Sequence, residues 1–281
     1  MATSDSLFDG SIPEAYERFL VPLIFEPYAR DIATRVARLE PQRVLELAAG
    51  TGVVTRALSA QLPPTAHVVA TDLNPAMLAH AATLLPPNAR LEWRQADALA
   101  LPFEPAAFDS LVCQFGAMFF PDKSQAYGEA RRVLNAGGHF FFNVWDRLGA
   151  NEFAAVVTGA LESMFPDDPP RFMARVPHGY FDVERIRREL EGAGFSSIAI
   201  EPLAHTSRAA SAWDVARAYC EGTPLRSEIE ARAPRGLGDA TERAAHAVAD
   251  RFGSGSIEAR IRAFVIEAVA NSRARARSRT S

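Results

Sequence analysis

The sequence predicts an α/β protein organised around a largely parallel sheet with helices on both faces. Three observations carry that expectation. Short apolar runs alternate with amphipathic helical stretches at close spacing through residues 42–146, the pattern of parallel strands joined by helical crossovers. Val44-Leu45-Glu46-Leu47 runs straight into the small-residue turn Ala48-Ala49-Gly50-Thr51-Gly52, as a strand does where it hands over to a helix and lets a ligand approach the backbone. The 281 residues are 48% hydrophobic and 23% charged, enough for a sizeable core and too apolar for extended disorder.

Each element follows in order. Beyond the turn, Val53, Val54, Ala57 and Leu58 recur at helical spacing until Pro63-Pro64 ends the helix. Residues 67–71 form the second strand, closed by Asp72, and Asn74-Pro75 opens a helix striped by Met77, Leu78, Ala81 and Leu84. Residues 90–95 read as the third strand, ending near Asp97; 108–113 as the fourth; 139–144 as the fifth, entered through Gly137-Gly138. The second half is less regular. Helices are expected over 151–165, 182–191, 213–219, 225–231 and 241–252, with strands at 197–203 and 261–267. The last strand rejoins the sheet only after a helical excursion, expected to lie as a lid over the sheet's carboxyl edge, where open α/β sheets bind ligands. The chain thus divides into an N-terminal helical cap (1–40), a cofactor-binding α/β core (41–146), the rest of the sheet with helical lid segments at about 150–178 and 207–256 (147–270), and an Arg-rich flexible tail (271–281).

Composition removes several classes. A formal net charge of −4 and a pI near 5.9 argue against nucleic acid as a partner. No apolar run approaches the roughly 18–20 residues of a membrane helix, and residues 1–11 lack a basic start followed by an apolar stretch. A cytoplasmic protein without a membrane partner is expected. Cys113 and Cys220 are too few for a disulfide framework or a cysteine-held zinc, and no metal is expected. Lys123 is the sole lysine against 29 arginines; an excess of that kind reflects a coding bias rather than chosen anion contacts.

Three acids stand at the ends of three successive strands: Glu46, Asp72 and Asp97. Asp72 is placed to accept both hydroxyls of a ribose, the role an acid has at the equivalent place in dinucleotide sites. Asp97 can accept the exocyclic amine of adenine, with the backbone amide of Ala98 beside it for a ring nitrogen. The loop is not a dinucleotide G-x-G-x-x-G, whose places are here Ala48, Gly50 and Val53, and no Gly-Lys-Ser/Thr follows it. Glu46 beside the loop would repel a phosphate but suits an ammonium group.

Val44–Gly52, Asp72-Leu73-Asn74-Pro75-Ala76-Met77-Leu78, Gln95-Ala96-Asp97-Ala98 and Val133-Leu134-Asn135-Ala136-Gly137-Gly138 resemble, in order, the motifs of class I S-adenosylmethionine-dependent methyltransferases, in particular the small-molecule group that includes the ubiquinone/menaquinone methyltransferases. The resemblance covers 42–146 well and the rest loosely. Ala48 departs from the glycine more usual there. It implies a doubly wound, mostly parallel seven-stranded sheet with its last strand antiparallel, a Rossmann-like methyltransferase fold. It also implies S-adenosyl-L-methionine as cofactor, with contacts from Glu46, Ala48, Gly50, Gly52, Asp72, Leu73, Met77, Asp97, Ala98 and Gln114. Glu46 and Gly50 would hold the methionine end, Met77 the adenine face, and Gln114 the methionine moiety or the substrate.

The acceptor is less legible. No Asp/Asn-Pro-Pro-aromatic run follows the fourth strand, and Cys113 follows Val112 rather than a proline, so adenine-N6 and cytosine-C5 chemistry on DNA are not expected. What remains is a small molecule with an O, N or C nucleophile, handled by a monomer or homodimer. Phe115, Met118, Phe119 and Phe120 either wall an apolar pocket or pack under the lid, with Phe119 or Phe120 assigned to the core. For catalysis, His178 and Tyr16 are the candidates, Tyr16 resembling residues that cover the cofactor in this family. Two other readings stay open: an NAD-dependent oxidoreductase, and a non-catalytic S-adenosylmethionine-binding module.

Overall fold

The computed structural model describes residues 10, 12–232 and 236–271; the arginine tail from 272 onward lies outside them. Seven strands form one sheet in the order β3-β2-β1-β4-β5-β7-β6. They are β1 (Arg43–Glu46), β2 (His67–Asp72), β3 (Leu91–Gln95), β4 (Phe108–Gln114), β5 (Leu134–Trp145), β6 (Phe195–Ala209) and β7 (Ile257–Ala270). Pairs among β1 to β5 are parallel, and β7 runs antiparallel to both β5 and β6. The chain order reverses on either side of β1, so β1 and β4 flank the switch point at which ligands bind in open α/β sheets. The fold class read from the sequence is the one observed.

Alternation along the strands feeds two cores. Val44, Val68, Val112 and Phe141 point to a layer with α2 (Glu26–Ala37) and α3 (Val53–Gln61). Leu45, Leu111, Phe140 and Phe142 point to the other, with Tyr127 of α5 (Lys123–Val133) and Ile186 of α8 (Val183–Gly192). Successive strand residues face opposite sides of the sheet, so both faces must be covered by helices.

Three strands differ in extent from the sequence expectation. β5 begins at Leu134 rather than His139, and β6 and β7 extend well past 197–203 and 261–267. The long antiparallel pair runs in register from Ala199↔Glu267 to Ala209↔Ile257. Pairing with a neighbour holds exposed residues extended that no local hydrophobic pattern marks.

The remaining helices are α1 (Ile12–Ala15), α4 (Pro75–Leu84), α6 (Glu152–Met164), α7 (Phe172–Arg175), α9 (Ala212–Glu221), α10 (Leu225–Arg232) and α11 (Leu237–Phe252). Between α1 and α2 the helix continues with π geometry over Tyr16–Phe25, with Pro22 inside it. A proline lacks the N–H that an α register needs, and π segments often mark functional places. Arg56 fastens this segment across the end of β1: its guanidinium meets Glu17 at 2.7 Å and the Thr51 carbonyl at 2.7 Å.

Candidate active site

The turn after β1 is held by its neighbours. Leu47 N–H donates to the Val112 carbonyl at 2.8 Å and Ala49 N–H to that of Thr71 at 2.9 Å. Ala48 (φ 52°), Gly50 (φ 57°) and Gly52 (φ 84°) all occupy the left-handed region. Only glycine does so without steric cost, so Ala48 is a strained position. The glycines serve different ends. A Cβ on Gly52 would lie 2.7 Å from the Trp93 ring, so Gly52 lets the turn pack on β3. A Cβ on Gly50 would stand 3.7 Å from Met77 Cε and 3.9 Å from the Tyr16 hydroxyl, among groups that line a cavity.

That cavity, of about 260 Å³, opens at the carboxyl ends of β1, β2 and β4 and beyond β3. Of the expected cofactor contacts, Ala48, Gly50, Asp72, Leu73, Met77, Asp97, Ala98 and Gln114 line it, and so does Tyr16. Asp72 is buried, its Oδ2 accepting from Gly50 N–H and its Oδ1 from Asn74 N–H, each at 2.8 Å. Burial raises its pKa while those two bonds pull the other way. Asp97 Oδ1 accepts from Leu99 N–H at 2.9 Å. Gln114 donates weakly to the Phe25 carbonyl at 3.3 Å, leaving its Oε1 buried without a partner among the described residues. An orphaned buried acceptor of this kind calls for a donor.

Two expected contacts and one catalytic candidate lie elsewhere. Gly52 packs on Trp93, as described. Glu46 sits beneath the turn rather than in the cavity, accepting from the Thr55 hydroxyl at 2.6 Å. Burial lifts its pKa to about 8, the Thr55 bond opposing and the Asp72 charge adding. A carboxyl two residues before a turn points into the layer under it, which the motif spacing alone does not reveal. His178 is buried beside Trp145, its Nδ1–H donating to the Asp146 carbonyl at 2.8 Å, and does not line that cavity. Burial lowers its pKa to about 4.

The aromatic wall also needs a correction. Phe119 and Phe120 are half-buried and both line the cavity; Phe115 is buried and lines it as well, and Met118 is buried. Phe115 adopts φ 50° and stacks on Trp145 at 3.8 Å with 7° between ring planes. Tyr16 stacks on Phe25 at 5.0 Å, and burial, with the Asp72 charge next, raises its hydroxyl pKa. Among the described residues no group of three or more His, Cys, Asp or Glu side chains could hold a metal, and no helix is long and apolar enough to cross a membrane.

Residues 45–142 match the family model of a methyltransferase domain. The chain is 42% identical over 99 residues to a demethylmenaquinone methyltransferase of Thermus thermophilus, spanning 35% of this chain and 44% of that protein, less than half its length. It is 32% identical over 165 residues to a ubiquinone/menaquinone biosynthesis C-methyltransferase of Ralstonia pickettii, 56% of this chain and 68% of that one. Among solved structures it superposes on a phosphoethanolamine N-methyltransferase of Haemonchus contortus in complex with S-adenosyl-L-methionine (TM-score 0.61, 17% identity, 97% of this chain and 61% of that one). It also superposes on the cyclase SpnF (TM-score 0.53, 18% identity, 88% and 81%). At these identities the structural likeness is one of fold. The chain belongs to the class I S-adenosylmethionine-dependent methyltransferases. Within that class it is similar to the ubiquinone/menaquinone C-methyltransferases.

Proposed function

We propose that this enzyme binds S-adenosyl-L-methionine in the cavity at the carboxyl edge and methylates a small molecule through an O, N or C nucleophile. The observation that carries the reading is the acceptor set gathered there: two strand-end carboxylates, Asp72 and Asp97, and the orphaned Gln114 Oε1, beside a wall of phenylalanines. Asp72 would accept the ribose hydroxyls, Asp97 the adenine amine, and Gln114 Oε1 the ammonium of the methionine end. Glu46 would act through the turn it supports. The cofactor supplies an electrophilic methyl group on a sulfonium.

Within this reading the chain's own residues position and enclose. Among the described residues the ionisable side chains lining the cavity are Asp72, Asp97 and Tyr16; the two acids are committed to the cofactor and Tyr16 is held protonated by burial. An acceptor that is nucleophilic without help therefore fits best, and orientation with exclusion of water supplies the rate. The Ralstonia pickettii relative is a C-methyltransferase of ubiquinone/menaquinone biosynthesis, which puts carbon nucleophiles first in any screen.

Isothermal titration with S-adenosylhomocysteine and with NAD tests the proposal. Binding of the former alone is expected. Binding of NAD alone would replace the reading with an oxidoreductase, and S-adenosylhomocysteine binding without turnover on phenols, amines and quinols would favour a non-catalytic module.

A further inference from the structure

A second cavity, of about 60 Å³, lies against the first and shares Tyr16, Phe115 and Phe119 with it. Its other walls come from distant parts of the chain: Ile24 of the π segment, Trp145 at the end of β5, Met173 of α7 and Tyr219 of α9. Among the described residues no Asp, Glu, Lys, Arg or His lines it, so a charge placed there would find no counter-charge and lose its hydration.

Tyr219 breaks the apolar pattern. It is 2% exposed, and its hydroxyl has no hydrogen-bond partner among the described residues; only burial acts on its pKa. Tyr16, Trp145 and Thr223 also bring polar groups to the walls, and Thr223 is already satisfied. Thr223 donates to the Tyr219 carbonyl at 2.8 Å and accepts from Leu225 N–H at 3.2 Å. Buried tyrosines normally give the hydroxyl a hydrogen-bond partner.

We infer that this chamber is the far end of the methyl-acceptor site, and that it selects an uncharged acceptor whose apolar body carries one hydrogen-bonding group for Tyr219. The inference rests on the methyltransferase reading of the neighbouring cavity. The chamber is smaller than the roughly 150 Å³ that holds a benzene ring, so a ring straddles the Phe115–Phe119–Tyr16 wall. Its reacting atom then stays on the cofactor side and its opposite end reaches Tyr219. Acceptors that carry a phosphate or carboxylate at that end are rejected.

The test is calorimetric, on the full chain saturated with S-adenosylhomocysteine, with 4-methoxyphenol as the neutral probe, whose ether oxygen lies opposite its hydroxyl, and 4-hydroxybenzoate and phosphoethanolamine as charged ones. 4-Methoxyphenol is expected to bind, and 4-hydroxybenzoate about tenfold or more weaker. Tyr219→Phe should weaken 4-methoxyphenol by about tenfold, the worth of one hydrogen bond, and leave S-adenosylhomocysteine affinity unchanged. Met173→Ala, which enlarges the chamber, should shift preference toward 4-propoxyphenol. Undiminished 4-methoxyphenol binding in Tyr219→Phe, tighter binding of the charged probes, or no 4-methoxyphenol binding to the loaded protein would each overturn the inference. Loss of S-adenosylhomocysteine binding by the unmodified protein would instead overturn the cofactor reading beneath it.

Discussion

Asp72 carries two loads, and separating them is the sharpest test of the site. Its carboxylate closes the turn after β1 through Gly50 N–H and the start of α4 through Asn74 N–H, each at 2.8 Å. Removing a partner from a buried donor costs about 1–3 kcal/mol, so Asp72→Ala should lower the unfolding free energy by roughly 2–6 kcal/mol for the two donors together. The cofactor role adds a separate effect. Loss of an ionised acceptor for the ribose should weaken S-adenosylhomocysteine by about 1–3 kcal/mol, roughly five- to 150-fold in Kd. Urea unfolding reads the first quantity and calorimetry, at a temperature where the variant is fully folded, reads the second. Asp97→Ala is the contrast. Among the described residues its Oδ1 accepts only from Leu99 N–H, so it should lose about 1 kcal/mol of stability and a comparable amount of affinity to Asp72→Ala. A folded Asp72→Ala protein with undiminished S-adenosylhomocysteine affinity would refute the ribose assignment and reduce Asp72 to a clamp on the turn.

The other predictions concern the layers around the cavity. Gly52→Ala combines a φ of 84° with a Cβ 2.7 Å from Trp93 and should destabilise by about 2–4 kcal/mol, measured as a lower urea midpoint. Glu46 has a folded pKa of about 8 against an ordinary value of 4.5, so the folded state holds the extra proton between those values. Its contribution is fully present below pH 4.5 and is lost as pH rises through 8. Glu46→Gln should therefore flatten the fall in stability between pH 5.5 and 8.5; a parallel pair of curves would sink the assignment. Comparing the two proteins also cancels His178, whose lowered pKa of about 4 acts oppositely, with stability present above 6.5 and lost as pH falls through 4. His178→Asn should cost about 1–3 kcal/mol of stability by weakening the bond to the Asp146 carbonyl, while turnover per folded molecule stays unchanged; a fall in kcat with intact stability would restore His178 as catalytic.

Much of this fold was readable because its information is local. Strand ends with acids, the small-residue turn and helical stripes each lie within a dozen residues, and the parallel order follows from them. The misreadings fell where distant chain segments decide. β5 starts at Leu134 and β6 runs to Ala209 because their neighbours pair with them, and Glu46 lies below the turn because Thr55 of α3 reaches back to it. The aromatic residues at the end of β4 could be listed from the sequence, but not sorted into core and cavity wall. That sorting depends on a close contact between two turns. A Cβ on Gly116 would stand 2.5 Å from Ala48 Cβ and 2.7 Å from Cys113 Sγ, so the turns after β1 and β4 touch at Gly116. On either side of that contact, Ala48 and Phe115 occupy left-handed backbone that costs a non-glycine residue roughly 1–2 kcal/mol. Strain of that kind persists where packing over-determines it, and it concentrates at functional sites. Here it turns the Phe115 ring onto Trp145 and sets it in the wall between the two cavities, a placement written in the contact of two loops and not in the motif of either.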